Sequence, residues 1–166
     1  MQILFLLSVL LQAAQIPAAS PSVRGDRFQL VVPQGWKTLN EGSFVLLEHS
    51  SGASLLVERI TRPTNLANYA QRQAERVMAP LGFAKLGEPR VFKDSHDEWV
   101  QYEITGNRIT DHRRILYRVL RRDTNFFESI YEASENQFDV LLTEAQGIAS
   151  SAQTLIETPP VRRARR

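Results

Sequence analysis

Residues 28–36 read Phe-Gln-Leu-Val-Val-Pro-Gln-Gly-Trp, and the fold can be built outward from this stretch. The first five residues are mostly apolar and β-favouring, so they predict a strand. Pro33 cannot donate to a sheet ladder, so the strand is expected to end in the turn that follows. Two more β-rich runs occupy residues 43–49 and 53–60, and Ser-Ser-Gly at 50–52 predicts a hairpin loop between them. The domain is therefore expected to open as an antiparallel meander.

A change of period between Thr64 and Gly82 predicts the first helix. Apolar residues recur there at steps of three, four and seven, which places them on one stripe. They are Leu66, Tyr69, Ala70, Ala74, Val77, Met78 and Leu81. Thr64 or Asn65 is the candidate N-cap, and Gly82 is the candidate residue after the C-cap. Pro80 is expected to break or kink the last turn.

Four further β-rich runs follow this helix, at residues 89–92, 98–105, 113–121 and 126–133. Short polar turns separate them at the spacing of hairpins. Strands and helices do not alternate one by one, as they would in a parallel sheet. The order predicts the α+β class, with a central, mostly antiparallel sheet of about six to seven strands and helices packed on its faces.

A second helix is predicted after the last strand. The residues Ser134-Glu-Asn-Gln137 have the form of a capping box, in which Ser134 accepts from the third helical amide and Gln137 reaches back. Behind them, apolar residues repeat with the helical period. They are Phe138, Leu141, Leu142, Ala145, Ile148, Ala149, Ala152 and Leu155. Two prolines at 159 and 160 are expected to stop this helix.

This layout resembles the PsbP-like and DcrB-like superfamily of small exported or lumenal proteins. The resemblance rests on the opening strand and Pro-x-Gly-Trp turn of 28–36, on Thr64-Asn-Leu-Ala-Asn-Tyr69, on the long later hairpins and on Ile148-Ala-Ser-Ser151. It implies an α/β/α sandwich. Members include an accessory subunit of the photosynthetic oxygen-evolving complex, bacterial envelope proteins and adaptors that shield segments of other proteins. It therefore implies non-enzymatic binding.

The two ends differ in composition from the centre. Residues 3–11 are apolar and small residues at 13–20 follow, which is the order of a secretory signal peptide. We therefore expect a signal peptide at 1–20, one domain at 26–157 and a basic, disordered tail at 158–166. The apolar run is too short to favour a membrane-spanning helix, although an N-terminal core helix remains an alternative. The predicted compartment is the periplasm or the extracellular space, and a bacterial origin is favoured.

The absence of cysteine excludes disulfides, thiolate zinc sites, cysteine nucleophiles and c-type haem attachment. The formal net charge is +2, and four arginines stand among the last five residues, so the rest of the chain is close to neutral. These are Arg162, Arg163, Arg165 and Arg166. If the tail has a partner, an anionic lipid surface or an acidic protein is expected. It lacks interleaved aromatic residues, so nucleic acid is disfavoured.

One turn combines carboxylates with an imidazole, as a weak cation site would. Its residues are Asp94, His96, Asp97 and Glu98. These ligand types suit a hard or borderline divalent cation. No EF-hand spacing or second nearby histidine accompanies them, so a solvated polar turn is the favoured interpretation. No cofactor is predicted.

The strand at 113–122 carries arginines on one face. They are Arg114, Arg118 and Arg122. This face is a candidate surface for an anionic ligand or a partner protein. The alternative is pairing with acidic residues on neighbouring strands, namely Glu103 and either Glu128 or Glu132. Apolar residues at 115, 117 and 119 occupy the opposite face, which predicts a core.

Three functional hypotheses remain at this stage. The first is a non-catalytic, exported accessory or adaptor protein that binds a partner protein in the cell envelope. The second is a carrier of a small apolar or lipid ligand, held between sheet and helices by aromatic residues. Those aromatic residues are Trp36, Trp99, Tyr102, Phe126 and Phe127. The third, an enzyme, ranks last because no G-x-S-x-G elbow or metal-ligand motif is present.

Overall fold

The computed structural model describes residues 21–155, which form eleven strands and two helices. The strands are β1 (Ser22–Gly25), β2 (Phe28–Val31), β3 (Trp36–Asn40), β4 (Phe44–His49), β5 (Ser54–Ile60), β6 (Gly82–Leu86), β7 (Arg90–Lys93), β8 (Asp97–Arg108), β9 (Asp111–Arg122), β10 (Asn125–Ser134) and β11 (Gln153–Thr154). The helices are α1 (Leu66–Met78) and α2 (Glu135–Ser150).

The main sheet has eight strands, and its neighbours run β3-β4-β5-β10-β9-β8-β6. The short strand β7 pairs with β8 on the same side as β6 does. A second sheet of three strands has the order β1-β2-β11. Every strand pair within 21–155 is antiparallel. The predicted α+β class is confirmed, with one more strand in the main sheet than the predicted upper number.

Both faces of the central strands are buried, because alternate residues point to opposite sides. On one side, Ile115, Tyr117 and Val119 pack with α1. On the other side, Leu116 and Phe127 belong to a core that includes the apolar stripe of α2 and the small sheet. The result is an α/β/α sandwich in which β8, β9 and β10 form the middle layer.

Several sequence-based boundaries were wrong for identifiable reasons. Trp36 closes the predicted turn and also begins β3. The sequence pattern did not predict β6, because most of its residues are exposed. Gly82 begins β6, since α1 ends at Met78 with Ala79 as its C-cap, just before Pro80. Between the two candidate N-caps of α1, Asn65 is the one used, and it accepts from the Asn68 amide at 2.9 Å.

The start and end of α2 also differ from the prediction. The Ser134 side chain makes no cap hydrogen bond and instead contacts the Asn136 side chain at 2.7 Å. The helix ends at Ser150, because Ser151 diverts the chain. The Ser151 hydroxyl donates to the Ile148 carbonyl at 2.7 Å and accepts from the Val31 amide at 2.8 Å. Residues 153–154 then form β11 beside β2.

The predicted signal peptide at 1–20 and most of the predicted tail at 158–166 concern parts of the chain beyond the described residues. Among the described residues, the first strand is β1, which begins a few residues before the predicted domain start at 26. Neither helix in residues 21–155 has the length and apolar character needed to cross a membrane.

Candidate partner-binding surface

Arg114 connects β9 to its neighbours on two sides. Its guanidinium donates to the Glu103 carboxylate on β8 at 3.0 Å and to the Asp139 carboxylate on α2 at 2.7 Å. The same group lies 4.1 Å from the centre of the Phe138 ring. The alternative of cross-strand pairing with Glu103 is therefore observed, and Arg114 fastens α2 to the sheet.

Arg122 has a similar role at the other end of α2. It donates two hydrogen bonds to the Asp97 carboxylate, at 3.0 and 2.7 Å. It also donates to the Ser150 carbonyl at 2.7 Å, where the last turn of α2 leaves carbonyls without helical partners. The hydrogen bond from Arg122 lowers the pKa of Asp97 below its usual range. This arginine is also held within the fold.

Arg118 differs from the other two arginines because it meets no carboxylate among residues 21–155. Its two nitrogens donate to the neutral Gln101 side chain at 3.1 and 2.7 Å. The guanidinium lies 4.8 Å from the Trp99 ring centre, and partial burial lowers its pKa. Register excludes Glu128 as a partner, because Arg118 lies opposite Ser129, which turns Glu128 to the other face. Within residues 21–155, this half-buried cation therefore has no counter-ion.

Beyond α2 the sheet presents an uncovered area, which we call the open face. The residues at its surface are Lys85, Arg90, Phe92, Trp99 and Arg118, and the buried Gln101 lies between Arg90 and Arg118. Phe92 and Trp99 stack there with ring centres 5.5 Å apart and planes inclined by 17°. A groove of about 480 Å³ lies beside them, and its walls include the loop of Gly87 to Pro89. The open face therefore presents two stacked aromatic rings next to polar and charged side chains.

The charges of the open face are unbalanced. Lys85, Arg90 and Arg118 have no ion-pair partner within residues 21–155. Glu103 lines the groove but is paired with Arg114, so Glu88 is the acid left to offset the three cations. A surface of this composition attracts anionic groups.

Strand β7 borders the open face as an edge of the main sheet. All four of its residues are exposed, and two of them are apolar. Val91 is 63% exposed and Phe92 is 43% exposed. Short edge strands with basic residues at their ends resist accidental pairing, yet they keep unpaired backbone groups within reach of a partner.

The residues of the candidate cation site form a hydrogen-bonded turn. The Asp94 carboxylate accepts from the His96 and Asp97 amides at 2.8 and 2.7 Å, which lowers the pKa of Asp94. Asp97 is paired with Arg122, and Glu98 is 3.1 Å from Arg121. Because these carboxylates have separate partners, they do not converge. No group of three acidic or histidine side chains in the described chain is arranged to hold a metal ion.

The aromatic residues proposed to line a ligand pocket do not share one. Trp36 and Phe127 are buried on the α2 side, where the Trp36 indole donates to Glu144 at 2.7 Å. Tyr102 packs on the α1 side, and Trp99 lies on the open face. The geometry therefore gives no support to a common pocket, because alternation along the strands sends neighbouring aromatics to opposite faces.

The sequence suggested Glu128 only as a partner of the β9 arginines, whereas its side chain is buried on the α1 side of the sheet. The Glu128 carboxylate accepts hydrogen bonds from the Tyr69 hydroxyl at 2.9 Å and the Tyr117 hydroxyl at 3.0 Å. Glu58 lies directly opposite Glu128 on β5. Burial raises the pKa of both carboxyl groups, and the charge of Glu128 adds to the effect at Glu58. The available signal was a carboxylate within the mostly apolar run of β10.

The fold defined by these layers is that of the PsbP-like α/β/α sandwich. The solution structure of PsbP (CyanoP) from Synechocystis superimposes with a TM-score of 0.57 at 15% identity, over 87% of this chain and 98% of that one. LpqN of Mycobacterium tuberculosis, described as involved in cell envelope biogenesis, gives 0.56 at 13% identity, over 78% and 83%. The Ran-binding protein Mog1p of Saccharomyces cerevisiae gives 0.56 at 10% identity, over 81% and 95%.

The sequence itself matches no family model, and no curated protein is significantly similar to it. The resemblance noted in the sequence is therefore confirmed at the level of the fold. At such low identity, a shared fold does not specify a shared function.

Proposed function

We propose that this protein is an exported, non-catalytic accessory protein that binds a partner protein in the cell envelope through its open face. The observation that carries the proposal is Arg118, a half-buried cation that, among residues 21–155, hydrogen-bonds to neutral Gln101 alone and lies over the Trp99 ring. A cation without a counter-ion is costly to bury. An acidic group supplied by a partner would offset this cost.

Two further facts support the location and the mode of action. Residues 3–11 and 13–20 have the order of an export signal. LpqN, which shares the fold, is named for cell envelope biogenesis. The aromatic and arginine content of the open face is also typical of protein interfaces, where Trp and Arg are enriched.

The structure gives less support to the carrier hypothesis. The apolar side chains of residues 21–155 fill two packed cores, and the larger cavities are open and lined by charged residues. Nothing on the described chain favours catalysis either. His49 contacts the Ser51 hydroxyl at 3.0 Å across a turn, but no carboxylate of residues 21–155 pairs with that histidine.

Site-specific photo-cross-linking in the native cells tests the proposal. A photoreactive phenylalanine analogue would replace Phe92 on the open face or, as a matched control, Val140 on α2, which is 70% exposed. We expect one discrete cross-linked protein from position 92 and none from position 140. The same products at both positions, or no protein product at position 92, would refute the proposal.

A further inference from the structure

Successive residues of β7 alternate between pointing their backbone hydrogen-bonding groups toward β8 and pointing them away from it. The Asp94 amide donates to the Asp97 carbonyl at 2.9 Å, so this pair is hydrogen-bonded across the hairpin. In an antiparallel ladder, bonded and non-bonded pairs alternate. Phe92 opposite Trp99 and Arg90 opposite Gln101 are therefore the bonded pairs.

Val91 and Lys93 occupy the non-bonded positions of this ladder, so their amides and carbonyls point away from β8. No strand of residues 21–155 pairs on that side of β7. The edge therefore presents two amides and two carbonyls in strand geometry, next to the exposed side chains of Val91 and Phe92. This is the surface that an added β-strand needs.

The charges at the two ends of β7 limit what can pair there. Arg90 has no ion-pair partner in the described chain, and Lys93 lies 3.9 Å from Glu98, which is closer to Arg121. Only residues whose backbone groups point outward can pair with each other, so a second copy would pair symmetrically about Phe92, with Val91 opposite Lys93 and Arg90 opposite Asp94. Lys93 would then meet no acid on that copy, and the Asp94 carboxylate is already held by the His96 and Asp97 amides. A strand with acidic residues at both ends is more complementary than a second copy, because it places a carboxylate opposite both Arg90 and Lys93.

We infer that β7 accepts an extended segment of the partner protein as an additional antiparallel strand. That segment carries a carboxylate opposite Lys93 and another opposite Arg90, with apolar residues between them opposite Phe92 and Val91. Backbone hydrogen bonds to Val91 and Lys93 supply affinity, and the flanking charges supply selectivity and direction. This inference rests on the proposed function and names the class of partner segment.

Two blocked peptides test the inference against the purified full chain. The first is Thr-Glu-Val-Val-Glu-Thr, and the second is its charge-reversed control, Thr-Lys-Val-Val-Lys-Thr. We expect the acidic peptide to bind at least about tenfold more tightly, which is what one to two opposed charge pairs provide. We also expect it to slow hydrogen exchange of the Val91 and Lys93 amides, since only strand addition gives these amides a new acceptor.

A pair of variants separates backbone pairing from side-chain contact. Val91→Pro removes an amide that the native ladder does not use, whereas Val91→Thr keeps it. We expect Val91→Pro to weaken acidic-peptide binding about tenfold relative to Val91→Thr, which corresponds to the loss of one hydrogen bond. The circular dichroism spectra of the two variants should match.

Three results would overturn the inference. They are equal binding of the two peptides or no binding of either, unchanged exchange at Val91 and Lys93, and equal affinity of the two Val91 variants. The cross-linking experiment tests the proposed function independently of the peptide experiments. A discrete cross-link from Phe92 together with any of these results would show that the open face binds a partner without strand addition.

Discussion

Replacing Arg122 by methionine should destabilise the protein much more than replacing Arg118, although both arginines lie on the same face of β9. Arg122→Met removes a two-bonded ion pair with Asp97 and a charge-assisted hydrogen bond to the Ser150 carbonyl. Both members of the ion pair are partly exposed, so solvent screening leaves it about 0.5–1 kcal/mol. The charge-assisted hydrogen bond contributes about 1.5 kcal/mol. The expected loss of unfolding free energy is therefore about 2 kcal/mol.

Arg118→Met removes two hydrogen bonds to neutral Gln101, but it also removes a half-buried cation that has no counter-ion among residues 21–155. These effects oppose each other, and methionine can keep the packing over Trp99. We expect the unfolding free energy to stay within about 1 kcal/mol of the wild-type value.

Urea unfolding followed by far-ultraviolet circular dichroism measures both variants without relying on Trp99 fluorescence, which Arg118 itself influences. The wild-type chain and a surface variant, Val140→Ala, serve as controls. If Arg118→Met destabilises the protein as much as Arg122→Met, Arg118 is a structural residue and the reasoning behind the open face fails.

Three further outcomes are expected. Glu128→Gln should flatten the decline in stability that urea unfolding measures as the pH rises above the ordinary carboxyl pKa of 4.5. The reason is that a carboxyl whose pKa is raised in the folded state binds more protons there than when unfolded, so stability falls as pH rises; an unchanged slope would contradict this. Tyr69→Phe should lower the unfolding free energy by about 1–2 kcal/mol in the same assay, since it removes the hydrogen bond from α1 to Glu128, whereas no loss would show that this contact is dispensable. Gly106→Ala should lower the thermal midpoint of unfolding by several degrees, which corresponds to a loss of about 1–3 kcal/mol in unfolding free energy. The reason is that the new β-carbon would lie 2.9 Å from the Leu81 β-carbon and 3.2 Å from the Gly82 carbonyl oxygen. An unchanged midpoint would show that β6 can shift to make room.

The order and class of the longer elements could be predicted because their periodicity is strong. The stripe from Leu66 to Met78 and the long run of β9 each have one dominant repeat, so their packing follows from the sequence. The short strands β1, β6 and β11 could not be predicted in this way. They are two to five residues long and at most half-buried, and they form because a neighbouring strand offers a free edge.

The candidate site, too, could be predicted from the sequence only in part. Alternation placed Arg114, Arg118 and Arg122 on one face, but it could not distinguish them. The distinction depends on where α2 ends and on which acid the register sets opposite each arginine. Sequence reasoning also assumed one solvent-facing side for β9, whereas both sides are packed, so Glu128 could not be assigned to the α1 side in advance.

The most direct test of the central claim is the yield of the cross-link from position 92 in cells that carry Arg118→Met, compared with the wild-type background. Arg118 lies beside Trp99, on which Phe92 stacks, so loss of this cation should reduce partner binding while the fold is retained. We predict a fall in yield of about tenfold, which corresponds to roughly 1.4 kcal/mol of binding free energy, with equal protein levels in both backgrounds. An unchanged yield would contradict the claim that the unpaired Arg118 makes the open face a partner-binding surface.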